Sequence, residues 1–429
     1  MREAARPADL PARDRLSLLL SGLPLLVAVV AFVLTAPTLE RWTVQQRMRS
    51  MAHAPFDSSL VLIGVGPSVT EGLPEGAAVP RGHLADMLTA LVRYRPAVVA
   101  VDYRMGPREA QMDGFEAVQT AVSAASAAGV EVVLPTTLGR VGPSWEVTYG
   151  PDSTLGSVRA GFVTFEGETR PNLRGIGGSD APPLVLRSAH ARRLVGGDVA
   201  LSFPLVTVAA YEDALPERRA ARRSFAPRLA ATILAETVGV APDEAVSVAE
   251  RRAYLRFAGP YGDLGSDLTY VASDALVRET DRQQLPPSWF EGKIVVVAEV
   301  SPSPDGFDSV EAPYGVVRGG VLLLHTIDTL LTDGGPAPPP WPVGWALTGL
   351  ALGVGVWAGS WPAVQRSWWA VGAGFGTAVV GCGVYVWLCF GAIQGGLVLP
   401  LVAPLASFLA AAVIGFVVGR PVRFDGSLQ

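Results

Sequence analysis

Charged residues are scarce in this sequence, and their absence is concentrated in three stretches. Asp, Glu, Lys and Arg make up 17% of the 429 residues, which is low for a soluble protein. No charged residue occurs in residues 16–39, 334–365 or 367–419. A helix that crosses a bilayer needs about 20 apolar residues. The first two stretches therefore predict one membrane helix each and the third predicts two, at residues 16–37, 341–362, 368–390 and 397–419.

Cysteine is almost absent as well, since the chain has only Cys382 and Cys389. Both fall in the third predicted membrane helix, and we interpret them as small apolar packing residues. The long segment between the first two predicted spans has no cysteine, so it cannot contain a disulfide. The net charge of −5 gives no support for nucleic acid as a partner.

The arginines flanking these spans predict their orientation, because short cytoplasmic loops are enriched in Lys and Arg. The loop between the third and fourth spans has no cation, whereas cations stand at Arg2, Arg6, Arg13, Arg15, Arg366, Arg420 and Arg423. We therefore expect a cytoplasmic N-terminus at residues 1–15, an extracytoplasmic domain at residues 38–335 and a cytoplasmic tail at residues 420–429. The proline-rich residues 336–340 would form a stiff tether from the domain into the second span.

Short, continuous apolar runs dominate the large domain. Runs of this kind indicate strands that are buried on both faces, as in a parallel sheet, and they lie at residues 59–65, 97–103, 130–135 and 293–300. Helical patterns separate the first three runs, at residues 81–94 and 115–129, and further helices are predicted at residues 203–215 and 320–334. The alternation predicts an α/β domain with a largely parallel sheet, next to four membrane helices.

Few residues in this domain suggest chemistry. Asp102 ends a predicted strand, where α/β sheets place ligand-binding groups, and helix capping is its alternative role. His325 and Asp328 are three residues apart on a predicted helix and could share a metal, but two ligands do not make a metal site. The sequence has no Ser-His-Asp order and no metalloprotease motif, so it names no reaction, no metal and no cofactor, and we expect a non-enzymatic protein.

Several segments follow one another in an order known from one protein family. They are "VLIGV", "VPRGHLADMLTAL", "AVVAVDYRMGP", "GVEVVLP", "GFVTFEGETRPNLRGI", "FPLVTVAAY", "RFAGPYGDLGSDLTYVASDAL", "FEGKIVVVAEV…GFDSVEAPYG" and "GVLLLHTIDTLL". In this order they resemble the CHASE2 domain, an extracytoplasmic sensory module of bacterial membrane receptors. The resemblance implies one membrane helix before the domain and three after it, which agrees with the spans predicted from charge.

The resemblance also assigns candidate ligand-binding residues. Arg81, Asp102 and Asp308 match the family pattern, and His325 takes the position of a family asparagine. Asp102 and Asp308 should lie near the carboxyl ends of neighbouring parallel strands and face one cleft. The chain departs from the pattern where family histidines stand: His83 lies one position before the usual histidine, which is replaced by Leu84, and Leu323 replaces the other.

The function implied by the resemblance is a bacterial inner-membrane sensor whose extracytoplasmic domain binds an unknown ligand. The ten residues after Gly419 are too few to form an effector domain, so we expect signalling through a partner protein with a cytoplasmic output domain, unless the chain is a shortened receptor. Assembly of identical chains is a further expectation. Two alternatives stay open at this point: a structural or assembly subunit of a membrane complex, and a membrane-tethered extracytoplasmic enzyme.

Overall fold

The computed structural model divides the chain into two compact units. The α/β unit is Met51–Ala337, and the helical unit combines Met1–Ser50 with Pro338–Gln429. The residues that the structure describes are 40, 43–48, 55–66, 69, 79–107, 113–142, 144–156, 158–163, 187–188, 191–195, 199–215, 253–254, 268–300, 309–312, 315–332, 341–365, 368–394 and 397–418.

The described part of the α/β unit contains thirteen strands and six α-helices. The strands are β1 Leu60–Val65, β2 Val98–Val101, β3 Glu131–Val141, β4 Ser144–Tyr149, β5 Arg159–Phe162, β6 Arg187–Ser188, β7 Ala191–Arg193, β8 Val199–Leu201, β9 Ala253–Tyr254, β10 Thr269–Ala272, β11 Ile294–Glu299, β12 Ser309–Ala312 and β13 Gly315–Arg318. The helices are α1 Arg81–Tyr94, α2 Phe115–Ala127, α3 Phe203–Ala214, α4 Ser273–Val277, α5 Glu279–Arg282 and α6 Gly319–Leu331.

The main sheet has seven strands in the order β10-β1-β11-β2-β3-β4, and β5 also pairs with β3. Every pairing in it is parallel except that of β3 with β4. The four apolar runs of the sequence are β1, β2, β3 and β11, so the prediction of a largely parallel sheet is confirmed. β11 lies between β1 and β2 although it follows them by about 200 residues in the chain.

Alternate residues of the central strands build two separate cores. Val61, Val99 and Val295 face one side and pack with α1 and α2, whereas Leu62 and Val296 face the other side with α3 and α6. The unit is therefore a three-layer sandwich in which both faces of the sheet are covered. This double burial explains why the strands read as continuous apolar runs.

Some elements differ from the sequence prediction. The helix expected to continue to residue 334 ends at Leu331, and β4 and β10 were not predicted. β10 is an edge strand in which only Val271 is buried, and β4 has no buried residue, so neither forms an apolar run.

Helices occupy the three apolar stretches near the end of the chain. They are α7 Trp341–Gln365, α8 Trp368–Gln394 and α9 Val402–Val418, while residues 16–37 lie outside the described part. α7 and α9 pack closely, because a Cβ atom at Gly355 would lie 2.4 Å from the carbonyl oxygen of Phe408. Within the residues that the structure describes, no helix combines the length and the hydropathy needed to cross a membrane.

A buried ion pair holds the start of α9. The side chain of Arg47 is fully buried and donates to the Glu40 carboxylate at 2.9 Å and to the carbonyl of Leu399 at 2.7 Å. The same carboxylate accepts the backbone N–H groups of Leu401 at 2.9 Å and of Val402 at 2.6 Å. Glu40 thus caps α9 and neutralises Arg47, and we call these two side chains with residues 399–402 the α9 clasp.

Candidate functional site

The parallel order of the sheet gathers several loops at one edge. The carboxyl ends of β1, β2, β10 and β11 lie at this edge, because these strands run parallel as neighbours. The helices that follow β1 and β10, which are α1 and α4, begin there. Parallel sheets of α/β proteins bind ligands at this edge, so we call it the carboxyl edge and examine it first.

Asp102 lies at the carboxyl edge, as the sequence predicts. Its backbone N–H donates to the carbonyl of Val297 on β11 at 2.9 Å, which extends the pairing of β2 with β11 by one residue. A Cβ atom at Gly320 would lie 3.4 Å from Oδ2 of Asp102 and 2.4 Å from the Cβ of Ala298. The carboxylate therefore lies against the first turn of α6, where the helix dipole favours negative charge. A side chain at position 320 would have no room.

Arg81 begins α1 at the same edge and is 3% exposed. Its guanidinium donates to the carbonyls of Val79 and Arg104, each at 3.2 Å. These bonds fasten the loop after β2 to the start of α1. Arg81 thus contacts Arg104, which lies two residues after Asp102 in the chain, and these two hydrogen bonds go to backbone carbonyls inside the protein.

A second buried arginine stands beside the carboxyl edge and was missed from the sequence. Arg318 immediately precedes α6, and its guanidinium pairs with the Glu299 carboxylate at 3.1 Å. The side chain of Arg318 is 5% exposed, whereas that of Glu299 is 39% exposed. The pair joins the end of β11 to the start of α6. Asp308, which was expected to face Asp102, lies outside the described residues. The strand that precedes it in the chain, β11, does pair with β2 in parallel.

His325 and Asp328 lie toward the other edge of the sheet. α6 starts beside Asp102 and rises about 1.5 Å per residue, so His325 is more than one turn away. The His325 ring packs on Phe56 with ring centroids 5.0 Å apart, and Oδ1 of Asp328 accepts the backbone N–H of Asp57 at 2.8 Å. Phe56 and Asp57 precede β1, so these contacts tie α6 to the amino edge of the sheet.

Burial determines the protonation state of His325. His325 is 2% exposed, and desolvation lowers the pKa of its imidazole to about 3, so the ring is neutral at pH 7. Among the described residues, no group of three or more His, Cys, Asp or Glu side chains could hold a metal ion. The structure separates His325 from Arg81 and Asp102, and the four candidate residues therefore do not form one described site.

A cleft of about 310 Å³ opens at the carboxyl edge beside β1 and β10. It is lined by Val69, Pro80, His83, Asp274, Val277 and Arg278. The pairing of β10 with β1 creates it, because this pairing places α4 next to the start of α1. We call it the His83 cleft. The sequence offered one signal for it, namely the displaced histidine of "PRGH", but not the residues of α4.

His83 is the histidine that lines this cleft. Burial lowers the pKa of its imidazole below the usual value, and the carboxylates of Asp274 and Asp86 oppose that effect. Its Nε2 atom is shielded from solvent and has no hydrogen-bond partner among the described residues. The neighbouring residue Leu84 is fully buried in the core under the sheet. A histidine at position 84 would face the core, whereas His83 reaches the cleft.

The cleft has the features of a binding site. Asp274 on α4 and Arg278, the residue that follows α4, form an ion pair at 3.8 Å, and the imidazole of His83 lines the same space. Half of the lining residues are apolar. Such an arrangement can orient a small polar molecule.

Comparison with known proteins yields one match. The profile of the CHASE2 domain matches residues 23–361, which is most of the chain. No curated protein and no solved structure matches the chain. Members of the matched family are extracytoplasmic sensory domains of membrane receptors.

Proposed function

The chain belongs to the CHASE2 domain family, and from this premise we propose that it is a membrane-bound sensor whose α/β unit binds a small extracytoplasmic ligand in the His83 cleft. The observation that carries the proposal is the position of this cleft at the carboxyl edge of a parallel sheet. The side chains of His83 on α1, of Asp274 on α4 and of Arg278 directly after α4 line it, as polar groups do in small-molecule sites of α/β proteins.

Binding without catalysis is the second part of the proposal. The polar groups of the cleft are one imidazole, one carboxylate and one guanidinium, and the last two are paired with each other. Asp102 and Arg81, which the sequence offered as candidates, contact the first turn of α6 and backbone carbonyls. We assign them to holding the carboxyl edge in shape, so that a ligand in the cleft meets a fixed surface.

The membrane location of the helical unit is the third part. The four apolar segments at residues 16–37, 341–362, 368–390 and 397–419 and the arginines that flank them support a multi-pass protein of the bacterial inner membrane. The α/β unit would then lie outside the cytoplasm. We propose that a partner protein, joined through the membrane helices, carries the output.

The location is tested by cysteine labelling of intact cells. The natural cysteines, Cys382 and Cys389, are replaced by alanine, and single cysteines are introduced as Ser303→Cys and Ser427→Cys. We expect a membrane-impermeant maleimide to label Ser303→Cys in intact cells and Ser427→Cys only after the membrane is opened.

The chain without cysteine is the control for background labelling. Labelling of Ser427→Cys in intact cells, or protection of Ser303→Cys until lysis, would refute the proposed orientation. Recovery of both variants in the soluble fraction would refute the membrane location itself.

A further inference from the structure

Resting on the proposed function, we infer that the His83 cleft binds a small zwitterion, which is a molecule with one carboxylate and one ammonium group, such as a free amino acid. The inference names the ligand class of the cleft and goes beyond the sensory role of the family. Its basis is the size of the cleft, the separation of charge along its wall and two polar atoms that no described residue satisfies.

The size of the cleft limits the ligand. Its volume of about 310 Å³ is at the lower end of the range found for small-molecule sites. Val69, Pro80 and Val277 form the apolar part of the wall. A ligand of this class would therefore have a short aliphatic side chain, and peptides, nucleotides and oligosaccharides would be too large.

One part of the wall favours a carboxylate. α1 begins at the cleft, and its N-cap residue is Pro80, which provides no side-chain hydrogen bond to the first turn. The 14 residues of α1 thus present uncapped backbone N–H groups and a positive helix end toward the cleft. Arg278 adds a guanidinium whose side chain is 69% exposed and free to turn toward a ligand.

Another part of the wall favours an ammonium group. Asp274 lies on α4 and is partly buried, and its carboxylate is 3.8 Å from the Arg278 guanidinium. This separation exceeds a hydrogen bond between charged groups, which is closer to 2.8 Å. An ammonium group next to Asp274 and a carboxylate next to Arg278 would each meet a side chain of opposite charge in the wall of the cleft.

Two polar atoms without described partners lie where α1 and α4 meet. Nε2 of His83 and Oγ of Ser273 are both shielded from solvent and make no hydrogen bond among the described residues. Ser273 is the first residue of α4, which packs against α1, and it directly precedes the cleft residue Asp274. Buried polar atoms are nearly always bonded, so two of them at one junction indicate a group that is supplied from outside the described residues.

The balance of charges distinguishes a zwitterion from a simple ion. A simple anion would gain from α1 and Arg278 but would lie close to the Asp274 carboxylate. A simple cation would gain from Asp274 but would meet the positive end of α1 and Arg278. A neutral imidazole at His83 contributes a hydrogen bond to either end without adding charge. The wall is therefore complementary to a molecule that carries both charges.

The inference is tested with the full chain in phospholipid nanodiscs and three probes of similar shape. L-valine carries both charges, isovalerate lacks the ammonium group and isobutylamine lacks the carboxylate. Isothermal titration calorimetry should give L-valine a dissociation constant at least about tenfold lower than that of either single-charge probe, since each lost charged group removes a charge-assisted hydrogen bond.

Matched variants locate the binding. Asp274→Asn and Arg278→Gln should each weaken L-valine binding about tenfold or more, and His83→Leu should weaken it as well. The controls are Glu279→Gln and Arg282→Gln, which alter a neighbouring ion pair on α5 outside the cleft and should leave binding unchanged. Arg278 is exposed, so its variant is expected to fold even if a change at Asp274 disturbs α4.

The outcomes separate the inference from the proposed function. Equal affinity for isovalerate or isobutylamine, binding that survives all three cleft variants, or no heat with any probe would overturn the zwitterion assignment. The proposed membrane location would be tested independently by the labelling of Ser303→Cys and Ser427→Cys. Failure of that labelling test with intact L-valine binding would instead refute the sensor topology alone.

Discussion

Lowering the pH from 7 to 4.5 is expected to destabilise the α/β unit by roughly 2 to 3 kcal/mol through His325 alone. The imidazole is buried, and desolvation lowers its pKa to about 3 in the folded chain, whereas the unfolded chain keeps a value near 6.5. The unfolded chain therefore binds the proton more tightly. The contribution of His325 is fully present above pH 6.5 and is lost as the pH falls from 6.5 toward 3.

Amide hydrogen exchange within α6 measures this effect. The opening free energy of α6, corrected for the intrinsic exchange rate at each pH, should decrease by the stated amount between pH 7 and 4.5 in the natural chain. In His325→Leu the decrease should be smaller by roughly 2 to 3 kcal/mol, whatever pH-independent change in stability the substitution itself causes.

His83→Gln is the matched control, because His83 is only partly buried and lies on α1. It should leave the pH dependence of α6 unchanged within error. An equal pH dependence in His325→Leu and in the natural chain would show that His325 is protonated at low cost, and that α6 is less tightly packed there than the structure shows.

Replacing Glu40 with alanine is expected to destabilise the α9 clasp by about 3 kcal/mol. The side chain of Arg47 is fully buried, and Glu40 is the carboxylate that neutralises it. The same substitution removes the acceptor for the N–H groups of Leu401 and Val402 at the start of α9. Both losses lower the stability of the clasp, because the substitution leaves a buried guanidinium without its carboxylate and a helix end without its cap.

Cys389 reports on this change without any label. It is fully buried, and its Sγ atom is 4.0 Å from the carbonyl oxygen of Pro400, next to the clasp. A loss of about 3 kcal/mol in local opening should raise its rate of reaction with a thiol reagent about 100-fold in the detergent-solubilised chain. Cys382, which is already partly exposed, should change little.

Two further variants make the test specific. Glu40→Gln keeps an acceptor for the helix end and should give a smaller increase than Glu40→Ala. The double variant Glu40→Ala with Arg47→Met removes the buried charge and should react more slowly than Glu40→Ala alone. Equal reactivity of Cys389 in the natural chain and in Glu40→Ala would contradict the clasp.

The parts of the fold that the sequence predicted are those in which local pattern and burial coincide. β1, β2, β3 and β11 lie inside a sheet covered on both faces, so the buried part of each strand forms an apolar run that the sequence reveals. α1 and α2 follow from the 3.6-residue spacing of their buried side chains. The parallel sheet then follows from the alternation of these elements.

The order of the strands in the sheet could not be predicted from local sequence patterns. The insertion of β11 between β1 and β2 depends on packing across about 200 residues, and no local pattern encodes it. β10 is an edge strand with one buried residue, so no sequence signal indicated its pairing with β1. The His83 cleft depends on this pairing and therefore could not be predicted either. Asp328 resembled a ligand in the sequence because its partner, the backbone N–H of Asp57, carries no sequence signal.

The proposed sensor requires that a ligand in the His83 cleft alters the helical unit. A ligand changes a conformational equilibrium only through its different affinity for the two states, so binding and helix movement must respond to the same cleft residues. Residues 336–340, which are predicted to form a stiff polyproline tether and lie outside the described residues, would transmit the change.

The most direct measurement is the distance between two spin labels, one on α7 and one on α8, in the full chain. The labels are attached at the exposed positions Leu352 and Val384. The distance is recorded in nanodiscs with and without L-valine. We predict that L-valine shifts the distance distribution. Arg278→Gln should remove the shift by removing binding, and a Gly/Ser replacement of residues 336–340 should remove it while binding is kept. An unchanged distance distribution in the natural chain at saturating L-valine would contradict the proposal that the cleft controls the membrane helices.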